Sequence, residues 1–141
     1  MTQTSTAYVA DSELLEVLRE RSRVVAPDTD GFLFHEGDMP TGVYVLLHGK
    51  VLLTMASSGA PVLSVQVGAG SLLGLPAVMG DKPYSLTAEA LEGAEAGFIP
   101  SVEFIRVMQS EPRLSFQVLK VLAEEVRSAR RELSAAYRAG A

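Results

Sequence analysis

The spacing of hydrophobic and polar positions changes twice along the chain. After a polar start, Leu14, Leu15, Val17 and Leu18 follow Asp11 and Ser12, either of which can cap a helix, so a short helix is predicted here. From Val24 to about Pro100, short apolar runs alternate with clusters of Gly, Pro, Asp and Ser, a pattern typical of strands and tight turns. Many short strands with Gly-rich turns favour a β-barrel or jelly roll over an α/β sheet.

The last part of the sequence has helical spacing. "SVEFIRVMQS" ends near Pro112, and the segment from Arg113 to Arg138 contains neither Pro nor Gly. Its apolar positions alternate spacings of three and four, which indicates a coiled-coil seam. A helix of roughly 26 residues is about 39 Å long, so we expect two turns to pack on the barrel and the rest to self-associate. The predicted dimer interface consists of Leu119, Leu122, Val126, Ala129 and Leu133, and the predicted exposed faces carry Glu124, Glu125, Arg127, Arg130, Arg131 and Glu132.

These patterns predict a mainly β protein with flanking helices. Residues 1–10 are expected to form a flexible arm, and residues 11–141 a single domain. Within that domain the barrel is expected to cover about 24–100 and the C-terminal helices about 101–138, the longer of which serves dimerisation.

Composition narrows the classes of function. The 141 residues include no cysteine, which excludes disulfides, thiolate catalysis and cysteine-ligated iron–sulfur clusters, and which fits a cytoplasmic location. The net charge of −5 gives no overall basic field, so we expect no direct binding to nucleic acid. No apolar run reaches the roughly 18 residues that span a bilayer, so no membrane partner is expected.

One stretch between strands has the composition of a ligand cradle. "GSLLGLPAVMGDKPYSLTAEAL", from Gly70 to Leu91, contains glycines, a proline in a short apolar turn and a hydroxyl cluster, but Lys82 is its only cation. Pro in the first turn of a short helix after Gly74 would leave N–H groups suited to an anion. The candidate ligand-binding residues are Leu73, Gly74, Leu75, Pro76, Ala77, Lys82, Tyr84, Ser85 and Thr87. The alternative is a turn that only packs the end of the barrel.

The order of elements and three stretches resemble the cyclic-nucleotide-binding domain of the catabolite activator and fumarate–nitrate regulator family. "FHEGDMPTGVYVLLHGKVLL" is similar to the family's Gly-Asp turn and the strand that follows it. "GAGSLLGLPAVMG" is similar to its phosphate-binding cassette, and "YSLTAEALEGAEAGFIP" to the strands after the cassette. The resemblance covers roughly residues 12–138. It implies a double-stranded β-helix, or jelly roll, with a long dimerisation helix.

The cassette departs from the pattern of cyclic-nucleotide binders. In those proteins a Glu after the glycine binds the ribose, and an Arg before Ser/Thr-Ala pairs with the cyclic phosphate. Here Leu75 follows Gly74, and the Arg position falls on Ser85, or on Tyr84 with a one-residue shift. A hydroxyl cannot replace a bidentate guanidinium contact at similar strength. Redox- and gas-sensing members also lack the pair, but this chain has no cysteine for their iron–sulfur cluster.

Three hypotheses follow. The first is a non-enzymatic, homodimeric sensor that binds a small anionic or nucleotide ligand, without catalytic residues, metal or cofactor. The second is a degenerate, ligand-free dimerisation scaffold in which Leu72, Leu75 and Tyr84 fill the pocket. The third is a cupin-like metalloenzyme, which His35 and His48, the two histidines, support poorly because a facial triad needs more ligands. The chain ends at Ala141 without a helix-turn-helix segment, so we expect a stand-alone module rather than one from which a DNA-binding half has been removed.

Overall fold

The computed structural model describes residues 4–57 and 59–140. It contains nine strands and four helices in these residues. The strands are β1 Thr4–Ser5, β2 Arg23–Val25, β3 Phe32–Phe34, β4 Gly42–His48, β5 Val51–Ser57, β6 Ala60–Val67, β7 Leu72–Leu73, β8 Thr87–Ala90 and β9 Glu95–Pro100. The helices are α1 Ser12–Arg21, α2 Leu75–Gly80, α3 Ser101–Ser110 and α4 Pro112–Gly140.

The strands form two sheets that face each other. One sheet has the order β1-β6-β5-β8-β3, and the other has the order β2-β9-β4-β7. All neighbours are antiparallel except β1 and β6, which run parallel. The predicted jelly-roll architecture with flanking helices and a long C-terminal helix is therefore confirmed.

Strand β4 separates two hydrophobic cores. Successive side chains of a strand point to opposite faces of its sheet. Tyr44 and Leu46 accordingly lie in the core between the two sheets, whereas Val43 and Val45 lie in a second core. The helices cover this second core, in which Phe104 of α3 is fully buried. The continuous apolar run of β4 reflects burial on both faces.

Helix α4 is attached to the rest of the domain over about four turns. Its buried residues, at spacings of three and four, are Leu114, Val118, Val121, Glu125 and Ser128. Two exposed ion pairs tie it to the start of α1: Arg113 Nε lies 2.8 Å from Glu13, and Lys120 Nζ lies 2.9 Å from Asp11. Such surface pairs each contribute about 0–1 kcal/mol, so the apolar contacts dominate. In the described segments, no helix is both long and apolar enough to cross a bilayer.

The N-terminal segment differs from the expectation of a flexible arm. Thr4 and Ser5 pair with β6, and the carbonyl of Tyr8 accepts a hydrogen bond from the Leu72 N–H at 2.8 Å. The Tyr8 side chain is almost fully buried, as is Ala10. Residues 4–10 are therefore packed on the barrel, because one large aromatic residue anchors an otherwise polar segment. Residues 1–3 of the predicted arm lie outside the described residues.

Candidate functional site

A small cavity lies between the cassette and helix α4. Its volume is about 20 Å³, and its lining consists of Tyr8, Phe34, Leu53, Leu73, Gly74, Pro76, Ala77, Tyr84, Ser85, Leu86 and Glu125. Ligand pockets for drug-sized molecules have volumes of about 300–1,000 Å³, whereas one buried water needs about 10–15 Å³. The cavity therefore has room for one water-sized group and not for a nucleotide.

Gly74 joins β7 to α2 at the wall of this cavity. Its φ of 91° lies in the left-handed region, which side chains with a Cβ rarely adopt. A Cβ at this position would lie 3.0 Å from Cε1 of the Tyr84 ring. Backbone conformation and close packing on Tyr84 thus both require glycine here.

Tyr84 is anchored at the position where the resemblance led us to look for a phosphate-binding cation. Its phenol donates a hydrogen bond to the carbonyl of Gly42 at 2.9 Å and accepts one from the Thr41 N–H at 3.2 Å. The ring of Phe34 stacks on it, with centroids 4.0 Å apart and an interplanar angle of 18°. The stacked pair occupies volume inside the barrel and leaves the cavity small.

Glu125 brings a carboxyl group from α4 to the cavity. The residue is 8% exposed, and its Oε2 atom has no hydrogen-bond partner among the described residues. Burial raises the pKa of this carboxyl to about 8. Burial, together with the charges of Glu125 and Glu132, raises the pKa of the Tyr8 phenol to about 12. Among the residues that the structure describes, the lining contains no Lys or Arg, so it offers a phosphate no positive charge.

Six of the nine candidate ligand residues line the cavity and three lie elsewhere. The six are Leu73, Gly74, Pro76, Ala77, Tyr84 and Ser85. Lys82 is exposed on the turn after α2, and Thr87 Oγ1 accepts a hydrogen bond from the Glu36 N–H at 2.9 Å. Leu75 is fully buried in the core beneath the helices, as is Leu72. The suggestion that these two leucines fill the pocket was therefore wrong, because α2 and β7 turn them to the other side.

Five residues of the lining were not predicted from the sequence. They are Tyr8, Phe34, Leu53, Leu86 and Glu125. Glu125 was assigned to an exposed face, whereas it continues the inward row of Val118 and Val121 at spacings of three and four. That spacing is the signal that could have placed it. Glu124, next to it, is exposed and pairs with Arg127 at 3.0 Å.

The outer face of α4 carries an apolar stripe, which we define as Phe116, Leu119, Val126 and Leu133. All four side chains are exposed, and Leu119 is 59% exposed. Leu122 and Ala129, the other two residues of the predicted seam, are half-buried at its flank. The barrel contact extends to Ser128, further than the two turns we expected. The exposed face of α4 that could pack on a second helix is therefore narrower than the predicted five-residue interface, because Leu122 and Ala129 are partly covered.

The two histidines lie at separate edges of the barrel. His35 is 3.3 Å from Asp28, and His48 is 4.0 Å from Glu95. The Phe32 N–H donates to Asp28 and is the main reason why the pKa of that carboxyl is lowered. Among the residues that the structure describes, no three His, Cys, Asp or Glu side chains are grouped as metal ligands.

One protein-family profile covers most of the barrel. A profile of the cyclic nucleotide-binding domain matches residues 28–111, more than half of the chain. The fungal lysophospholipase NTE1 of Chaetomium globosum is 26% identical over 97 residues, which are 68% of this chain but only 6% of that protein.

Two solved structures share the fold at low sequence identity. The catabolite activator protein of Thermus thermophilus superposes with a TM-score of 0.72 at 20% identity, covering 88% of this chain and 59% of that chain. A transcriptional regulator of Thermotoga maritima superposes with a TM-score of 0.70 at 20% identity, covering 84% of this chain and 94% of that chain. The chain therefore belongs to the cyclic nucleotide-binding domain family and shares the jelly-roll fold of these two structures.

Proposed function

We propose that this chain is a non-enzymatic, homodimeric regulatory module whose pocket does not respond to cyclic nucleotides. The observation that carries the proposal is the lining of the cavity, in which the described residues present the buried carboxyl of Glu125 and no cationic side chain. A charge-assisted hydrogen bond contributes about 1.5–3 kcal/mol, and a phosphate would find none from Lys or Arg here. An ionised Glu125 would also repel it.

The space in the cavity supports the same conclusion. A cyclic nucleotide would have to displace the Phe34–Tyr84 pair, which is stacked at 4.0 Å and fixed by the hydrogen bonds of the Tyr84 phenol. Breaking buried hydrogen bonds without replacing them costs about 1–3 kcal/mol for each unsatisfied group. We therefore expect no measurable affinity for cyclic AMP or cyclic GMP.

The homodimer is inferred from the apolar stripe on α4. Leu119, Val126 and Leu133 recur every seven residues, which is the heptad spacing of a helix that packs on a partner helix. The opposite face of α4 packs on the barrel and carries Glu125 to the cavity. A change at the cavity would thus alter how α4 sits on the barrel, and the paired helices would transmit it to the second copy.

The remaining parts of the proposal follow from the composition and the side-chain clusters. We infer a cytoplasmic protein, since cysteine is absent from the sequence, and no direct contact with nucleic acid, since the net charge is −5. A cupin-like enzyme would require a facial triad of metal ligands. His35 and His48 each contact one carboxylate at separate sites, so no observation favours that function.

The ligand-free scaffold is a second candidate, and one observation favours it. A cavity of about 20 Å³ has no room for an effector unless the side chains around it move. The scaffold differs from the first candidate in one testable respect, which is that no small molecule would stabilise the protein.

Light scattering tests the dimer. We expect Leu119→Glu combined with Val126→Glu to give a monomer, because two charges would be buried in the helix pair. Glu124→Lys, on the exposed face beside the stripe, is the control and should remain dimeric. A double variant that keeps its helical circular dichroism and still scatters as a dimer would place the interface elsewhere.

Thermal unfolding tests the pocket. Cyclic AMP and cyclic GMP should leave the midpoint unchanged, whereas a ligand present at 100 times its Kd would add about 2.7 kcal/mol to the stability. An increase with either nucleotide would refute the proposed loss of response.

A further inference from the structure

The carboxyl of Glu125 is buried on the inner face of α4, beside the cavity. Its Oε2 atom is inaccessible and has no partner within the described residues, although buried polar atoms are usually hydrogen-bonded. The residue is more than nine-tenths buried at 8% exposure. An apolar side chain would fill the same row of α4 at lower cost. The carboxyl and the cavity beside it together indicate a binding site.

The rest of the lining favours a positive charge. Tyr8, Phe34 and Tyr84 contribute aromatic rings to the same cavity. The faces of aromatic rings attract ammonium groups, and a desolvated carboxylate pairs with them. The Tyr84 phenol is already bonded to Gly42, so its hydroxyl is not needed to hold a ligand.

We propose that the cavity beneath α4 is a binding site for a small primary amine, whose protonated head group pairs with Glu125 among these aromatic rings. This inference deepens the proposed function, because it assigns a ligand class to the same pocket. The volume of about 20 Å³ matches one water-sized group, which an ammonium head group is. Pro76 and Ser85 also line the cavity and are exposed, so it reaches the surface beside the cassette.

Binding of an amine is coupled to loss of a proton. Burial raises the pKa of Glu125 to about 8, so near neutral pH the empty site holds a protonated carboxyl. When R–NH₃⁺ enters, the carboxyl proton leaves to the buffer and the carboxylate pairs with the ammonium group, so the charge of the complex balances. The other side chains with polar groups in the lining are Tyr8, Tyr84 and Ser85, none of which supplies a positive counter-charge. The negative charge of Glu132, further along α4, acts on Tyr8.

Titration calorimetry with methylammonium chloride tests the proposal. We expect saturable binding to the wild-type protein and to Glu124→Gln, an exposed neighbour, and at least a tenfold loss of affinity in Glu125→Gln. Tetramethylammonium chloride and sodium chloride at the same ionic strength should give no saturable heat. Two buffers that differ in protonation enthalpy should reveal proton release by the wild-type protein, a readout that a merely structural Glu125 would not change.

Three results would refute the amine site. If a buried water satisfies Glu125, no amine will bind, and the proposal falls. Binding of acetate but not methylammonium, or equal binding of methylammonium to Glu125→Gln, would also overturn it. Glu125→Gln is first shown to be folded by circular dichroism, and Glu125→Ser replaces it if it is not.

The outcomes separate this inference from the proposed function. If the protein is a dimer that binds neither cyclic AMP nor methylammonium, the proposed function is retained and only the amine ligand is rejected. Binding of cyclic AMP would remove the proposed function itself.

Discussion

Raising the pH should destabilise this protein through Glu125. The ordinary pKa of this carboxyl is 4.5 and burial raises it to about 8. Between these values the folded protein retains a proton that the unfolded chain has lost, so stability falls as pH rises and the loss is complete above the folded pKa. At about 1.36 kcal/mol for each pKa unit, the difference between the unfolded and folded pKa values corresponds to a loss of stability on the order of 5 kcal/mol. Typical domains have only about 5–15 kcal/mol of stability in total.

Urea unfolding followed by circular dichroism measures this effect. The free energy of unfolding of the wild-type protein should decrease from about pH 5 to about pH 8, between the unfolded and folded pKa values of Glu125, and then level off. Glu125→Gln has no ionisable group there, so its stability should depend much less on pH, while Glu124→Gln should behave like the wild type. Other carboxyl groups contribute equally to all three proteins. Parallel pH profiles for the wild type and Glu125→Gln would refute the assignment of Glu125 as a buried, protonated group.

Two substitutions test the packing around the cavity. Tyr8→Ala should lower the free energy of unfolding by about 3–5 kcal/mol, as for other buried aromatic residues. Thr6→Ala, at an exposed neighbour, should be nearly neutral. Equal urea midpoints for the two variants would show that the N-terminal segment does not pack on the barrel. Gly74→Ala should cost more than Gly37→Ala, because both glycines have φ above 90° but a Cβ would meet Tyr84 only at position 74. The left-handed conformation alone costs about 1–2 kcal/mol, so equal losses would show that the ring contact is unimportant.

The fold could be predicted because each element follows a local pattern. The short apolar runs and the glycine-rich turns between them indicate a barrel, and the long segment without Pro or Gly indicates α4. Leu119, Val126 and Leu133 could be placed on one helix face from their spacing alone. That face is exposed in the structure.

The site was harder to predict because it depends on contacts distant in sequence. Phe34 and Tyr84 stack although fifty residues separate them, and Tyr8 reaches the cavity from a segment that looks like a polar arm. Glu125 was placed on the surface because charged residues are rarely buried. Leu75 was assigned to the pocket from its place in the cassette, whereas the helical turn after Gly74 directs it into the other core.

A crystal structure of the protein grown with excess cyclic AMP would be the sharpest test of the claim that the pocket does not bind cyclic nucleotides. We expect the rings of Phe34 and Tyr84 to remain stacked, with centroids near 4.0 Å, and no nucleotide density between the cassette and α4. Nucleotide density there, with Phe34 displaced and a cation drawn to the phosphate, would contradict it.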